Sequence, residues 1–140
     1  MKRALLLTIV PAAVVAMTYG VVFVGRRDYL GHYAAGYGAT LGLILLAAAA
    51  LPATGFGRWL GWASVPLVVA AIGMGAITES TLFRLAKFDE VDFANQSFGA
   101  VLAGLACLAA LETKPSDVRI VLLGGVAAAF LATGFYYAFT

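Results

Sequence analysis

Five long apolar runs alternate with short polar intervals along the chain, and each run is long enough to form one membrane-crossing helix. They cover residues 4–24, 29–51, 58–83, 92–111 and 118–139. At 1.5 Å per helical residue the first reaches about 31 Å, the thickness of a bilayer's hydrocarbon core. The intervals carry the breakers. Arg26 and Arg27 close the first run, and Pro52-Ala53-Thr54-Gly55 is a turn. Residues 84–91 hold two cations and two carboxylates, and residues 112–117 form a charged linker containing Pro115. Pro11 and Pro66 fall inside runs, where membrane helices tolerate proline if neighbours satisfy the freed carbonyl. The pattern predicts an all-α polytopic protein, one domain over residues 1–140 made of five transmembrane helices in a compact bundle. The first run follows Met1-Lys2-Arg3 as a signal peptide would, but continues unbroken to Val24 and is expected to be a span.

Composition agrees with a lipid environment. Of 140 residues 63% are hydrophobic and 11% charged, and the mean hydropathy is +0.97, whereas soluble domains carry about 25% charge. A net charge of +2, scattered over several intervals, supplies no basic stripe for nucleic acid, and that class of partner is excluded. Cys107 is the only cysteine and lies in an apolar run, so it is expected to pack rather than to bridge, react or bind metal. One histidine among scattered carboxylates specifies no metal site, and a heme held by two histidines of this chain is excluded by count. No cofactor is implied.

The informative feature is where the polar groups fall. With five alternating spans, the start of the second, the end of the third and the start of the fourth meet one membrane surface. That surface collects Asp28, His32, Glu79, Asp92, Asn95 and Gln96. The other surface has Arg58 and linker charges beside Trp59 and Trp62, placed as an aromatic belt would be. Lys2, Arg3, Arg58, Lys114 and Arg119 lie on the N-terminal side, against Arg26, Arg27, Arg84 and Lys87. The excess favours a cytoplasmic N-terminus and an extracytoplasmic polar cluster.

Each candidate has two readings. Asp28 and Asp92 stand where helix caps stand; Asp28 is also one turn before His32, where a carboxylate could orient the imidazole for proton transfer. Glu79 lies within a span, between Ile77 and Leu82, where an ionisable group marks a functional site unless it snorkels to the boundary. Tyr29, Tyr33 and Tyr37 repeat every fourth residue beside the Asp28-His32-Gly36 stripe and read as an interfacial belt or helix packing, with ligand stacking as the rarer use. Gly38 and Gly42 form a GxxxG pair, a common pattern in such spans. Gly73-Met74-Gly75 is expected to loosen the third span.

Asp28-Tyr29-Leu30-Gly31-His32 resembles the D-x-x-x-H opening of VanZ-like membrane proteins. In that family a glutamate closes the next span and a D-x-x-(A)-N-x-x-G-(A) element opens the one after; Glu79 and residues 92–100 are similar to these, in matching order over about residues 20–110. Two positions depart from the pattern. Leu82 replaces a glutamine, and with Asp92 and Gly99 matched the family asparagine falls on Gln96, leaving Asn95 as a shifted substitute. The resemblance implies a prokaryotic cytoplasmic membrane, a cell-envelope role of the kind associated with resistance to the antibiotic teicoplanin, and a site at Asp28, His32, Glu79, Asp92 and Gln96, without implying a reaction. Two functions fit the sequence. One is a pocket binding an envelope lipid-linked head group, in which acid/base chemistry at His32 is one use. The other is an accessory subunit of a larger respiratory or photosynthetic membrane complex, its polar residues serving as caps and contacts with partner chains and His32 available as one shared axial ligand.

Overall fold

A computed structural model describes residues 2–81 and 88–138. Five helices follow in order: α1 (Lys2–Val22), α2 (Arg27–Ala50), α3 (Phe56–Thr81), α4 (Glu90–Ala110) and α5 (Asp117–Ala138). All five are long and apolar enough to cross a membrane, as in an integral membrane protein. Leu82, Phe83, Arg84, Lys87 and Phe139, on which expectations were placed above, lie outside the described residues.

The helices begin before their apolar runs because polar residues fill the first turns. At α4 the cap is Asp89, whose Oδ1 accepts hydrogen bonds from the backbone N–H of Val91 at 2.8 Å and of Asp92 at 3.3 Å. Asp92 is therefore not the cap that the sequence suggested. Asp28 is not a cap either. The cap position of α2 is Arg26, with no side-chain cap, and Asp28 lies inside the first turn, where its charge suits the helix dipole. At the far end of α2, Lys114 Nζ donates to the carbonyls of Ala49, at 3.2 Å, and Leu51, supplying a cation where exposed carbonyls need one.

α2 is the central element. α4 and α5 pack along it, α1 and α3 lie against α2 and α4, and α5 has substantial packing only on α2. Glycines set the two closest crossings. Gly36 faces the backbone of Gln96, and Gly99 faces the backbone of Tyr33 and Tyr37, so α2 and α4 meet backbone to backbone. On the other side, a methyl group at Gly38 would stand 2.7 Å from the Ala127 oxygen, and one at Gly134 would stand 2.7 Å from the Ala35 nitrogen. Gly42 has nothing near it, so only half of the GxxxG pair is used.

Two tyrosines of the stripe are packing residues, while Tyr29 stays half-buried in the first turn of α2 beneath Arg26. Tyr33 and Tyr37 are fully buried, and their hydroxyls donate to the α1 carbonyls of Ala12, at 3.1 Å, and Thr8. These carbonyls flank Pro11, which offers its own turn no N–H. α1 meets them with the small stripe Ala4, Thr8 and Ala12. The apolar core, with Leu41, Ile44, Leu45, Leu60, Cys107, Leu111 and Leu123, fills the half of the bundle nearer the N-terminal surface. Toward the other surface the helices are less completely packed, and the polar residues gather there.

Candidate functional site

Because α5 leans on α2 and α3 leans mainly on α4, the two flanking helices leave a cleft between them. A cavity of about 270 Å³ occupies it. Its walls are mostly hydrocarbon: Ala35 and Ala39 of α2, Ala71 and Met74 of α3, Leu131 and Phe135 of α5. His32, Glu79 and Gln96 supply the polar groups, beside Thr78, whose hydroxyl is already bonded to the Met74 carbonyl. From the helix starts, His32 and Gln96 sit about 7–10 Å below the surface and Ala39 about 18 Å below. The polar end thus faces the membrane boundary and the apolar end the midplane. Met74 and Phe135, the latter 62% exposed, stand at its lipid-facing side.

Glu79 is the carboxylate that lines the cavity itself. It is 7% exposed, lines the cavity, and neither a hydrogen bond nor an ion pair joins it to any described residue. It does not snorkel. Burying a carboxylate without a partner is among the costliest arrangements a fold can keep. Its position follows from the α3 stripe Ala71, Gly75 and Glu79, one residue per turn, of which the first two are small. Gly75 is not a loosening residue: the side chain of Gln96 lies across it and would collide with any Cβ there. Gln96 Nε2 is held 3.5 Å from the Ala71 carbonyl, which leaves the amide oxygen as a further acceptor at the cavity.

His32 is nearly buried, and the carboxylate found against its Nε2 is that of Asp92, at 3.5 Å. Asp28, expected to orient this imidazole, is gripped by Arg26, whose guanidinium donates to both carboxylate oxygens at 2.8–3.2 Å and stacks 4.0 Å over the Tyr29 ring. Asp92 is 9% exposed, and its Oδ1 has no hydrogen-bond partner among the described residues. Asp28, Glu79, Asp89 and His32 all lie within electrostatic reach of Asp92.

The six candidates therefore separate. His32, Glu79 and Gln96 line the cavity, Asp92 stands behind His32, and Asp28 sits at the rim with Arg26. Asn95 turns the other way: its Oδ1 accepts a 2.6 Å hydrogen bond from the Tyr19 hydroxyl of α1. Tyr19 stacks in turn on Tyr33, 5.3 Å between ring centres. Sequence reasoning did not single out Tyr19, Asp89 or the seat at Gly75. The last had a signal, the Ala71-Gly75-Glu79 spacing.

Chemically, the cavity presents a carboxylate, an amide oxygen and a carboxylate-supported imidazole to whatever enters. Among the described residues no lysine or arginine lines it. Among the described residues no group of three or more histidine, cysteine or acidic side chains is placed to hold a metal ion. No family model, no curated protein and no solved structure matches this chain.

Proposed function

We propose that the protein is a VanZ-like integral membrane protein of a prokaryotic cytoplasmic membrane, which holds the polar head of a membrane amphiphile, such as a lipid-linked envelope component, in the cleft between α3 and α5. One observation carries this reading: a buried carboxylate, Glu79, with no hydrogen-bond or ion-pair partner among the described residues, at the polar end of a cavity whose other walls are mostly hydrocarbon. Small-molecule sites have this composition, apolar walls with a few convergent polar groups. The gradient from polar end to apolar end also matches a lipid in its own leaflet, with head toward the surface and tail toward the midplane. In this picture Glu79 and Gln96 bind the head, and His32, steadied by Asp92, borders it. A cytoplasmic N-terminus places the cleft on the extracytoplasmic side.

The test is gentle extraction of the tagged protein from its native membrane, followed by native mass measurement and identification of what travels with it. The expected result is a particle of one to a few copies carrying an amphiphile that the Glu79→Ala variant no longer retains. Stoichiometric large subunits with no such amphiphile would overturn the proposal and make the polar residues contacts within a larger complex.

A further inference from the structure

The chemistry of the lining residues narrows the class of head group, and the inference rests on the amphiphile reading above. We infer that the cavity takes an amphiphile whose head bears a protonated primary amine, and not one whose head is a phosphate alone.

Three observations carry this. First, Glu79 is 93% buried by its 7% exposure, faces the cavity and has no partner among the described residues, so the occupant must bring the compensating hydrogen-bond donor or positive charge. Second, Gln96 adds an acceptor, while the imidazole of His32 is held against Asp92 and the Thr78 hydroxyl is bonded to the Met74 carbonyl. The Gln96 amide is turned with its N–H₂ toward the Ala71 carbonyl, and behind His32 stands the carboxylate of Asp92. Third, the described cations of this corner are directed elsewhere. Arg26 is committed to Asp28 and Tyr29, and Arg27 lines a separate recess with Tyr19, Phe23 and Tyr137.

An ammonium group answers all three. It carries three N–H donors and one positive charge, enough to bond Glu79 and the Gln96 oxygen together, in a site with little water to screen the attraction. A phosphate would meet the Glu79 carboxylate with no lysine or arginine among the described lining residues to offset the repulsion. The bilayer is the source, because below its polar groups the cavity is walled by Ala35, Ala39, Ala71, Met74 and Leu131, a lining that suits a hydrocarbon tail.

The test is thermal unfolding of the purified protein in phosphatidylcholine nanodiscs, titrated with dodecylamine, dodecyl phosphate, dodecyl maltoside and ethanolamine. Dodecylamine alone is expected to raise the melting temperature at low concentration. Glu79→Gln, which keeps the shape and removes the charge, is expected to weaken that effect on the order of a hundredfold. Met74→Trp, at the lipid-facing mouth, is expected to weaken it by obstruction with Glu79 intact. Stabilisation by dodecyl phosphate that Glu79→Gln reduces would overturn the amine while leaving an amphiphile site. Equal stabilisation by ethanolamine and dodecylamine would keep the amine and remove the bilayer as its source. Dodecylamine stabilising wild type and both variants alike would remove the cavity from the interaction, and no response to any of the four, with co-purified amphiphile unchanged in Glu79→Ala, would defeat the function reading itself.

Discussion

At the scale of the residue, two aspartates three positions apart do different work. Asp89 satisfies orphan amides of α4, and this releases Asp92 to turn toward His32. The sequence suggested Asp92 as the cap and Asp28 as the partner of His32; which aspartate caps α4 depends on where the helix begins, a matter of one turn that the polar stretch before Phe93 leaves open. Asp89→Ala should destabilise the protein by about 1 kcal/mol, the usual worth of an N-cap, in reversible unfolding from mixed micelles, without changing the histidine. Asp92→Asn should instead move the ¹⁵N resonances of the imidazole, which are unambiguous because His32 is the only histidine. An unchanged imidazole spectrum in Asp92→Asn would refute the pairing. Asp28 illustrates the opposite difficulty. Its i, i+4 spacing to His32 is correct for one helix face, yet Arg26, just outside the helix, offers two charge-assisted donors and captures it.

The helices owe their arrangement to small residues, since lipid tails give no hydrophobic drive for one span to leave them for another. Close approach lets backbones and tyrosine hydroxyls interact instead. Gly36→Ala would force a methyl into the Gln96 backbone and should cost about 1–3 kcal/mol, or prevent folding, whereas Gly42→Ala, with open space around it, should be neutral or stabilising by up to about 1 kcal/mol. Equal effects in the same unfolding assay would contradict the α2–α4 crossing. Tyr37→Phe should cost roughly 0.5–1.5 kcal/mol through the lost bond to the Thr8 carbonyl and loosen α1 first, which backbone hydrogen exchange in α1 would report. Sequence could name these glycines and tyrosines as packing candidates. It could not choose among them, because Gly38 and Gly42 differ only in whether α5 lies over them.

For the whole molecule, the five helices form a bundle filled by apolar side chains toward the N-terminal surface and opened by a cleft toward the other. The gathering of polar groups at that end follows from topology, because alternating spans bring the start of α2, the end of α3, the start of α4 and the end of α5 to one surface. In a Cys107→Ala background, a membrane-impermeant maleimide applied to intact cells should label Val24→Cys and not Thr54→Cys, both exposed positions on opposite surfaces. The reverse pattern would place the cleft in the cytoplasm and remove extracytoplasmic envelope ligands from consideration.

The sequence by itself determined that there are five helices and which polar groups share a surface, because bilayer thickness and strict alternation of direction translate hydropathy into topology without any packing detail. It also singled out Glu79, since an ionisable group between apolar neighbours is conspicuous wherever the helix turns. Only the tertiary structure decided that Asn95 faces Tyr19 while Gln96, its neighbour, reaches over Gly75, and that α5, resting on α2 alone, leaves a cleft beside Glu79. The physical reason is rotation. Helix phase and crossing angle depend on which small residues meet across two chains of side chains far apart in sequence, and hydropathy records the depth of a residue but not the direction in which it points.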